Sequence, residues 1–157
     1  MEFWLDGFPM PPSINEQLMS VRGRLIKTKK AREFDKQVNE YCRANRAIIK
    51  EIKKELTPAL AMQGLKIDCF FAFHEDRLVT KTKKAKDWLK VLDANNRLKS
   101  TLDGISKALE IDDKFFIAGN CEKVSCKSLE DQRVLIRIKP QNLKNLEAVL
   151  FMMKLNQ

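Results

Sequence analysis

The chain has 157 residues, 44% of them hydrophobic, and carries 30 Lys+Arg against 21 Asp+Glu, a net charge of +9. That length fits one domain able to bury a core without disulfide or metal staples. The charge favours a polyanionic partner, nucleic acid ahead of an acidic membrane surface, and no apolar run is long enough to span a bilayer.

Residues 2–8, EFWLDGF, predict a short strand with Phe3, Leu5 and Gly7 on one side and Trp4 and Phe8 elsewhere. The prolines of PMPPSIN then stop it. VRGRLIKTKKAR follows, a cluster of Arg22, Arg24, Lys27, Lys29, Lys30 and Arg32 with a turn expected at Gly23. From about Lys29 to Leu56, the spacing of Phe34, Val38, Tyr41, Ile48, Ile52 and Leu56 predicts one helix ending at Pro58. Leu65 to Phe73 alternates, so Leu65, Ile67, Cys69, Phe71 and Phe73 share the buried face of a strand. EDRLVTKTKKAKDW reads as a polar, mobile loop holding Lys81, Lys83, Lys84 and Lys86, with Lys90 just after it completing a lysine cluster.

A helix comes next, with Asp93 at its N-cap and Leu98, Leu102, Ile105 and Leu109 facing the core. Asn95, Lys99 and Asp103 recur every four residues and form a separate polar flank. Phe115 to Lys127 and Arg133 to Ile138 predict two strands joined by SLED as a hairpin, with a bulge at Gly119. Pro140 opens a last helix with a Leu143, Leu146, Leu150 and Met153 stripe. The order β-α-β-α-β-β-α specifies a single small α+β domain, its helices packed on a small mixed or antiparallel sheet.

The four cysteines, Cys42, Cys69, Cys121 and Cys126, form no CxxC pair, so no zinc knuckle is visible. Reduced thiols of a cytoplasmic protein are the expectation. His74 is the only histidine and reads as structural or solvated, which leaves Ser-His-Asp and Cys-His chemistry without support.

PPSIN near the N-terminus, the Arg-rich turn leading into KTKKAREF, and DANNRLKSTLDGISKALEIDD together resemble the RusA-type Holliday junction resolvases. The resemblance runs from about Pro9 to Arg137. It implies a dimeric, magnesium-dependent endonuclease, of a kind common in prophages, that cuts branched DNA at a four-way junction, with manganese as a substitute ion. Residues 1–139 are then the nuclease domain and residues 140–157 a helical extension packed on it.

Carried over by position, Asp93 matches the first catalytic aspartate, Asn95 falls where the second usually stands, and Asp113 matches the third, with Asp112 beside it. Asn96 matches the motif asparagine and Lys99 the functional lysine. The resemblance thus implies Asp93, Asn95 and Asp113 as metal ligands. The departure is Asn95, whose amide brings no charge. Activity is then reduced, another carboxylate (Asp87 or Asp103) compensates, or the chain binds without cutting. Phosphodiester hydrolysis suits this set: magnesium takes oxygen ligands, and a lysine offsets developing negative charge. Arg22, Arg24, Lys27, Lys29, Lys30, Lys81, Lys83, Lys84 and Lys86 are the expected phosphate contacts.

One constraint is geometric. A straight helix from Asp93 to Leu109 is about 24 Å long and holds Asp93 and the Asp112-Asp113 loop at opposite ends. One site needs a shorter or bent helix, or a loop supplied by a second subunit across a two-fold axis.

Overall fold

The computed structural model describes residues 1–61, 63–78 and 94–143. Lys81, Lys83, Lys84, Lys86, Asp87, Lys90 and Asp93 lie outside them, as does the last predicted helix beyond Leu143. The architecture is α+β: helices cover one face of a five-stranded mixed sheet.

The sheet is organised by β4 (Gly64–His74), the strand whose alternation is clearest. Leu65, Ile67, Cys69, Phe71 and Phe73 are each at most 1% exposed. On one side β4 pairs antiparallel with β7 (Val134–Gln141), which in turn pairs antiparallel with β1 (Phe3–Phe8). On its other side lie β5 (Phe116–Ala118) and β6 (Cys121–Cys126), both parallel to it.

The predicted hairpin of the last two strands is therefore wrong. The connection through the single 3-10 turn Leu129–Asp131 crosses over the end of β4, where Ala72 N–H donates to the Arg133 carbonyl at 2.9 Å. Residues 127–133 suffice to cross the ~10 Å between the two neighbours of β4. The bulge expected at Gly119 falls two residues earlier: the register against β4 shifts between Phe116 and Ala118 and is unchanged across Gly119, which separates β5 from β6. A Cβ there would stand 2.1 Å from the Ile67 carbonyl oxygen, so the close strand approach needs glycine.

Four further expectations need correction. Phe8 is fully buried beside Leu5, because a register shift between them, with Gly7 at φ +71°, turns Phe8 inward. The long helix is two, α1 (Lys29–Ala44) and α2 (Arg46–Leu60), divided at Asn45. Asn45 donates from both its N–H (2.9 Å) and its side-chain amide (3.0 Å) to the Tyr41 carbonyl, ending α1 while its own carbonyl starts α2. Pro58 does not end α2; it sits in the last turn, where the helix forgoes the one bond its missing N–H would make to the Lys54 carbonyl. Pro140 opens no helix but lies within β7, opposite Leu65.

Residues Glu75–Leu78, expected as loop, form the short helix α3, and His74 Nδ1 accepts the Asp76 N–H at 3.3 Å at its start. The predicted turn at Gly23 closes a two-stranded hairpin, β2 (Leu18–Val21) and β3 (Arg24–Lys27). Arg22 (φ 49°) and Gly23 (φ 74°) supply the two left-handed residues of a type I′ turn.

The core lies between the sheet and α1, α2 and α4 (Asn95–Leu109), and joins Leu5, Phe8, Phe34, Val38, Leu56 and Ile105 with the buried face of β4 and β7. Gly104 sets the distance of α4 from the sheet: a Cβ would meet Phe8 Cζ at 2.9 Å. The opposite sheet face is aromatic and charged. Trp4 stacks on Phe70 at 5.8 Å and the Arg137 guanidinium lies over both rings. Asp68, buried there, accepts from Arg137 Nε (2.9 Å) and Nη2 (2.6 Å) and from Asn120 N–H (2.9 Å).

Candidate active site

The site is built around α4. Ile105, Ala108 and Leu109 anchor the helix, with Leu98 and Leu102 packed against the core edge as their spacing predicts. Ser100, Thr101 and Gly104 are buried as well, so the inner face is wider than the leucine stripe. Asn95, Lys99 and Asp103 lie on the exposed flank, as expected. The position before the helix is Ala94, whose carbonyl accepts from Arg97 and Leu98 N–H, and the expected cap, Asp93, lies outside the described residues.

The PPSIN loop docks directly on this helix. Arg97 Nη1 donates to the Pro11 carbonyl while its guanidinium lies 5.6 Å from the Phe73 ring centre. The Gln17 side-chain amide donates to the Ser100 hydroxyl and, at 3.3 Å, to the Pro12 carbonyl. Arg97 and Gln17 were missed in the sequence. The signal available was Arg97 inside NNRLK, a position that neither cap nor polar-flank reasoning required. Burial lowers the Arg97 pKa, with Glu16 acting in the opposite direction.

Between α1, α4 and the foot of the β2–β3 hairpin is a cleft of about 440 Å³. Lys99, Asp103 and Lys107 from α4 line it, with Lys27 and Leu18 from the hairpin and Asp35 from α1. Lys27 Nζ contacts Asp35 Oδ2 at 2.6 Å.

The end of α4 turns back sharply, by a route the sequence did not suggest. Glu110 takes a left-handed conformation (φ 53°) as the C-cap, and its N–H returns to the Ser106 carbonyl. Ile111 is buried, its N–H also on the Ser106 carbonyl at 3.1 Å, while the Ser106 hydroxyl donates to the Ile111 carbonyl at 2.7 Å. The chain thereby folds back along the helix, and Asp113 comes within electrostatic reach of Asp103. Desolvation in the cleft raises the Asp103 pKa; Lys99 and Lys27 oppose the rise, and the Asp113 charge adds to it. From Asp103 to Asn95 there remain two turns of helix, about 12 Å.

Asp113 opens a 3-10 turn capped by Asp112, whose carboxylate accepts the Lys114 N–H at 3.0 Å. The loop acids thus divide: Asp112 is engaged locally and Asp113 is exposed. Of the expected phosphate contacts, Arg22, Arg24, Lys27, Lys29 and Lys30 are all exposed, Lys30 next to Glu16.

The donor chemistry suits a hard divalent ion, since Asn95, Asp103 and Asp113 offer oxygens only. Among the described residues no three acidic, His or Cys side chains converge on one point, so these residues alone do not complete a metal site. The four cysteines are free, and burial pushes the Cys69 thiol up to about 12, far from a reactive thiolate.

No helix among the described residues is long and apolar enough to cross a membrane. The chain matches none of the curated proteins individually. The family model for endodeoxyribonuclease RusA, by contrast, matches residues 8–139, taking in the docked PPSIN loop, the hairpin, α4 and its reversal, and most of β7. The chain is a member of the RusA endodeoxyribonuclease family.

Proposed function

We propose that the chain is a magnesium-dependent, structure-specific endodeoxyribonuclease that resolves four-way DNA junctions by paired phosphodiester cleavage, acting as a homodimer. The observation that carries this reading is the match to a family of DNA endonucleases over residues 8–139, supported by the exposed flank of Asn95, Lys99 and Asp103 on α4 and by the Asp113 charge that acts on Asp103.

Asp93, Asn95 and Asp113 would hold the ion. Bound there, it supplies charge neutralisation and an activated water for attack on phosphorus. The remaining steps belong to the side chains. Lys99 offsets negative charge growing on the phosphate oxygens. Arg22, Arg24, Lys27, Lys29, Lys30, Lys81, Lys83, Lys84 and Lys86 take the backbone phosphates on either side and set the register without reading sequence. The ~12 Å between Asp103 and Asn95 along α4 favours a composite site, with Asp113 of one subunit serving the helix start of its mate.

Asn95 favours a second reading, a junction-binding homodimer of weakened catalysis, because it replaces a charged ligand by a neutral one. One experiment separates the two. Purified protein is mixed with a labelled four-way junction, with Mg²⁺ or Mn²⁺ and then EDTA. Symmetric nicks that disappear with EDTA identify the enzyme, and retarded junctions without nicks identify the binder. Asp93→Asn is expected to abolish cutting and leave junction binding intact. Asn95→Asp is expected to raise cleavage or metal affinity, and no change in either removes Asn95 from the ligand set.

A further inference from the structure

The β2–β3 hairpin is unlike the rest of the molecule. All eight of its strand residues are exposed, Leu25 at 71%, Leu18 at 51%, Met19 at 48%, Ile26 at 41% and Val21 at 39%. The cross-strand register places Met19, Val21 and Ile26 on one face and Leu18 and Leu25 on the other. The root pair Leu18 and Lys27 turns to the cleft, while toward the tip Leu25 on one face and Met19, Val21 and Ile26 on the other stay uncovered, so the outer ribbon is apolar on both sides. A surface that docks flat needs only one such face. A two-sided apolar ribbon suits insertion between two apolar surfaces.

Its charge narrows the partner. From Gln17 to Arg32 there is no acidic residue, while Arg22, Arg24, Lys27, Lys29, Lys30 and Arg32 are basic. Two such ribbons facing each other in a second copy of a +9 chain would repel. A polyanion with apolar faces to offer is nucleic acid whose base pairs come apart. Proteins that open base steps do so with Leu, Ile and Met side chains flanked by cations. The hairpin is also rooted at the candidate site: Thr28 N–H donates to the Gln17 carbonyl at 2.9 Å across its base, and Leu18 and Lys27 form part of the cleft wall with Lys99 and Asp103.

We infer that the β2–β3 hairpin is a branch-point wedge. Arg22, Arg24 and Lys27 hold the phosphates of adjoining arms, and Leu25, Ile26 and Met19 fill the space between base pairs that unstack at the crossover. This rests on the junction reading given above and adds to it the element that distinguishes a branch from a plain duplex.

The test uses the full chain in EDTA, so that nothing is cut. One substrate is a four-way junction with 2-aminopurine at the branch point, the other a linear duplex of equal length. Wild type is expected to raise 2-aminopurine fluorescence and to prefer the junction. Leu25→Thr/Ile26→Thr keeps strand-forming residues. It is expected to bind duplex as wild type does, lose about tenfold in junction preference and give no fluorescence rise. Arg22→Gln/Arg24→Gln is expected to weaken both substrates and to reduce the salt slope by about two. Leu25→Trp is expected to keep the rise, with its own indole emission quenched on the junction. A folded Leu25→Thr/Ile26→Thr protein that retains the preference and the rise overturns the wedge. So does light scattering in which that variant turns a wild-type dimer into monomer, which would assign the hairpin to a second copy. A wild type with no preference for the junction overturns the junction reading as well, so the two failures are distinguishable.

Discussion

Strand β4 and the β2–β3 hairpin are both rich in apolar residues, yet no residue of β4 is exposed and every strand residue of the hairpin is. The difference lies in what stands beside them. β4 has hydrogen-bonded neighbours on both edges, helices over one face and the Trp4–Phe70–Arg137 layer over the other. Among the described strands the hairpin pairs only within itself, and it meets the rest of the fold at its root. Apolar content therefore does not by itself mark core; the surroundings decide, and uncovered apolar surface calls for a functional reason.

The contrast can be broken first at β4. Gly119→Ala forces a Cβ against the Ile67 carbonyl, a backbone atom that cannot swing away. We expect a loss of about 3 kcal/mol or more, read as a lower urea midpoint. Asp68→Asn takes the buried carboxylate away from a partly exposed Arg137 guanidinium and is expected to cost about 1–3 kcal/mol by the same measurement. It also changes the pH response. Burial pushes the Asp68 carboxyl up, but Arg137, the Asn120 N–H and Lys66 outweigh it, and its pKa ends below the ordinary value of 3.8. A depressed carboxyl contributes its full stability above the unfolded pKa and loses it as pH falls through the folded one. Urea midpoints taken from pH 6 downward should fall more steeply for wild type than for Asp68→Asn.

Gly104→Ala gains helix propensity but drives a methyl into the fully buried Phe8 ring at 2.9 Å, for a net loss of about 1–2 kcal/mol in thermal or urea unfolding. At the other pole, Met19→Thr should move stability by no more than about 0.5 kcal/mol, because nothing in the core rests on it. A loss as large as that of Gly104→Ala would mean the hairpin is structural after all.

How much of this was legible in sequence follows the same division. Strict alternation located β4, and the four-three-four leucine spacing set the face of α4, because a single buried side imposes a period. Gly23 announced a turn because its backbone is left-handed, and Gly119 marked an irregular stretch of strand but not the bulge itself, which lies between Phe116 and Ala118. The hairpin strands were not seen: with no buried side, LMSV and RLIK have no alternation to read. The pairing of β6 with β7 was misread because nearness in sequence suggested a hairpin, whereas β4 accepts one of them on each edge. The split at Asn45 was hidden because Val38 and Tyr41 before it and Ile48 and Ile52 after it keep helical spacing across the break, whereas the structure exposes Ile48 and buries Ile49 in its place. Asp68 lies off the alternating buried face, and the covering layer of Trp4, Phe70 and Arg137 is what buries it. At the candidate site, residue types and the flank formed by Asn95, Lys99 and Asp103 were readable; the return of Asp113 was not, since it depends on a non-glycine residue, Glu110, adopting a left-handed turn.

The pairing of β1 with β7 joins Phe3 to Ile138. A ribosome delivers the first strand long before its only sheet neighbour among the described strands exists, so β1 must wait through most of synthesis without a ladder to complete. Expression conditions that slow elongation will therefore prolong an aggregation-prone stage, and a chaperone that shields the nascent N-terminal strand should raise the yield of active protein more than one acting after release.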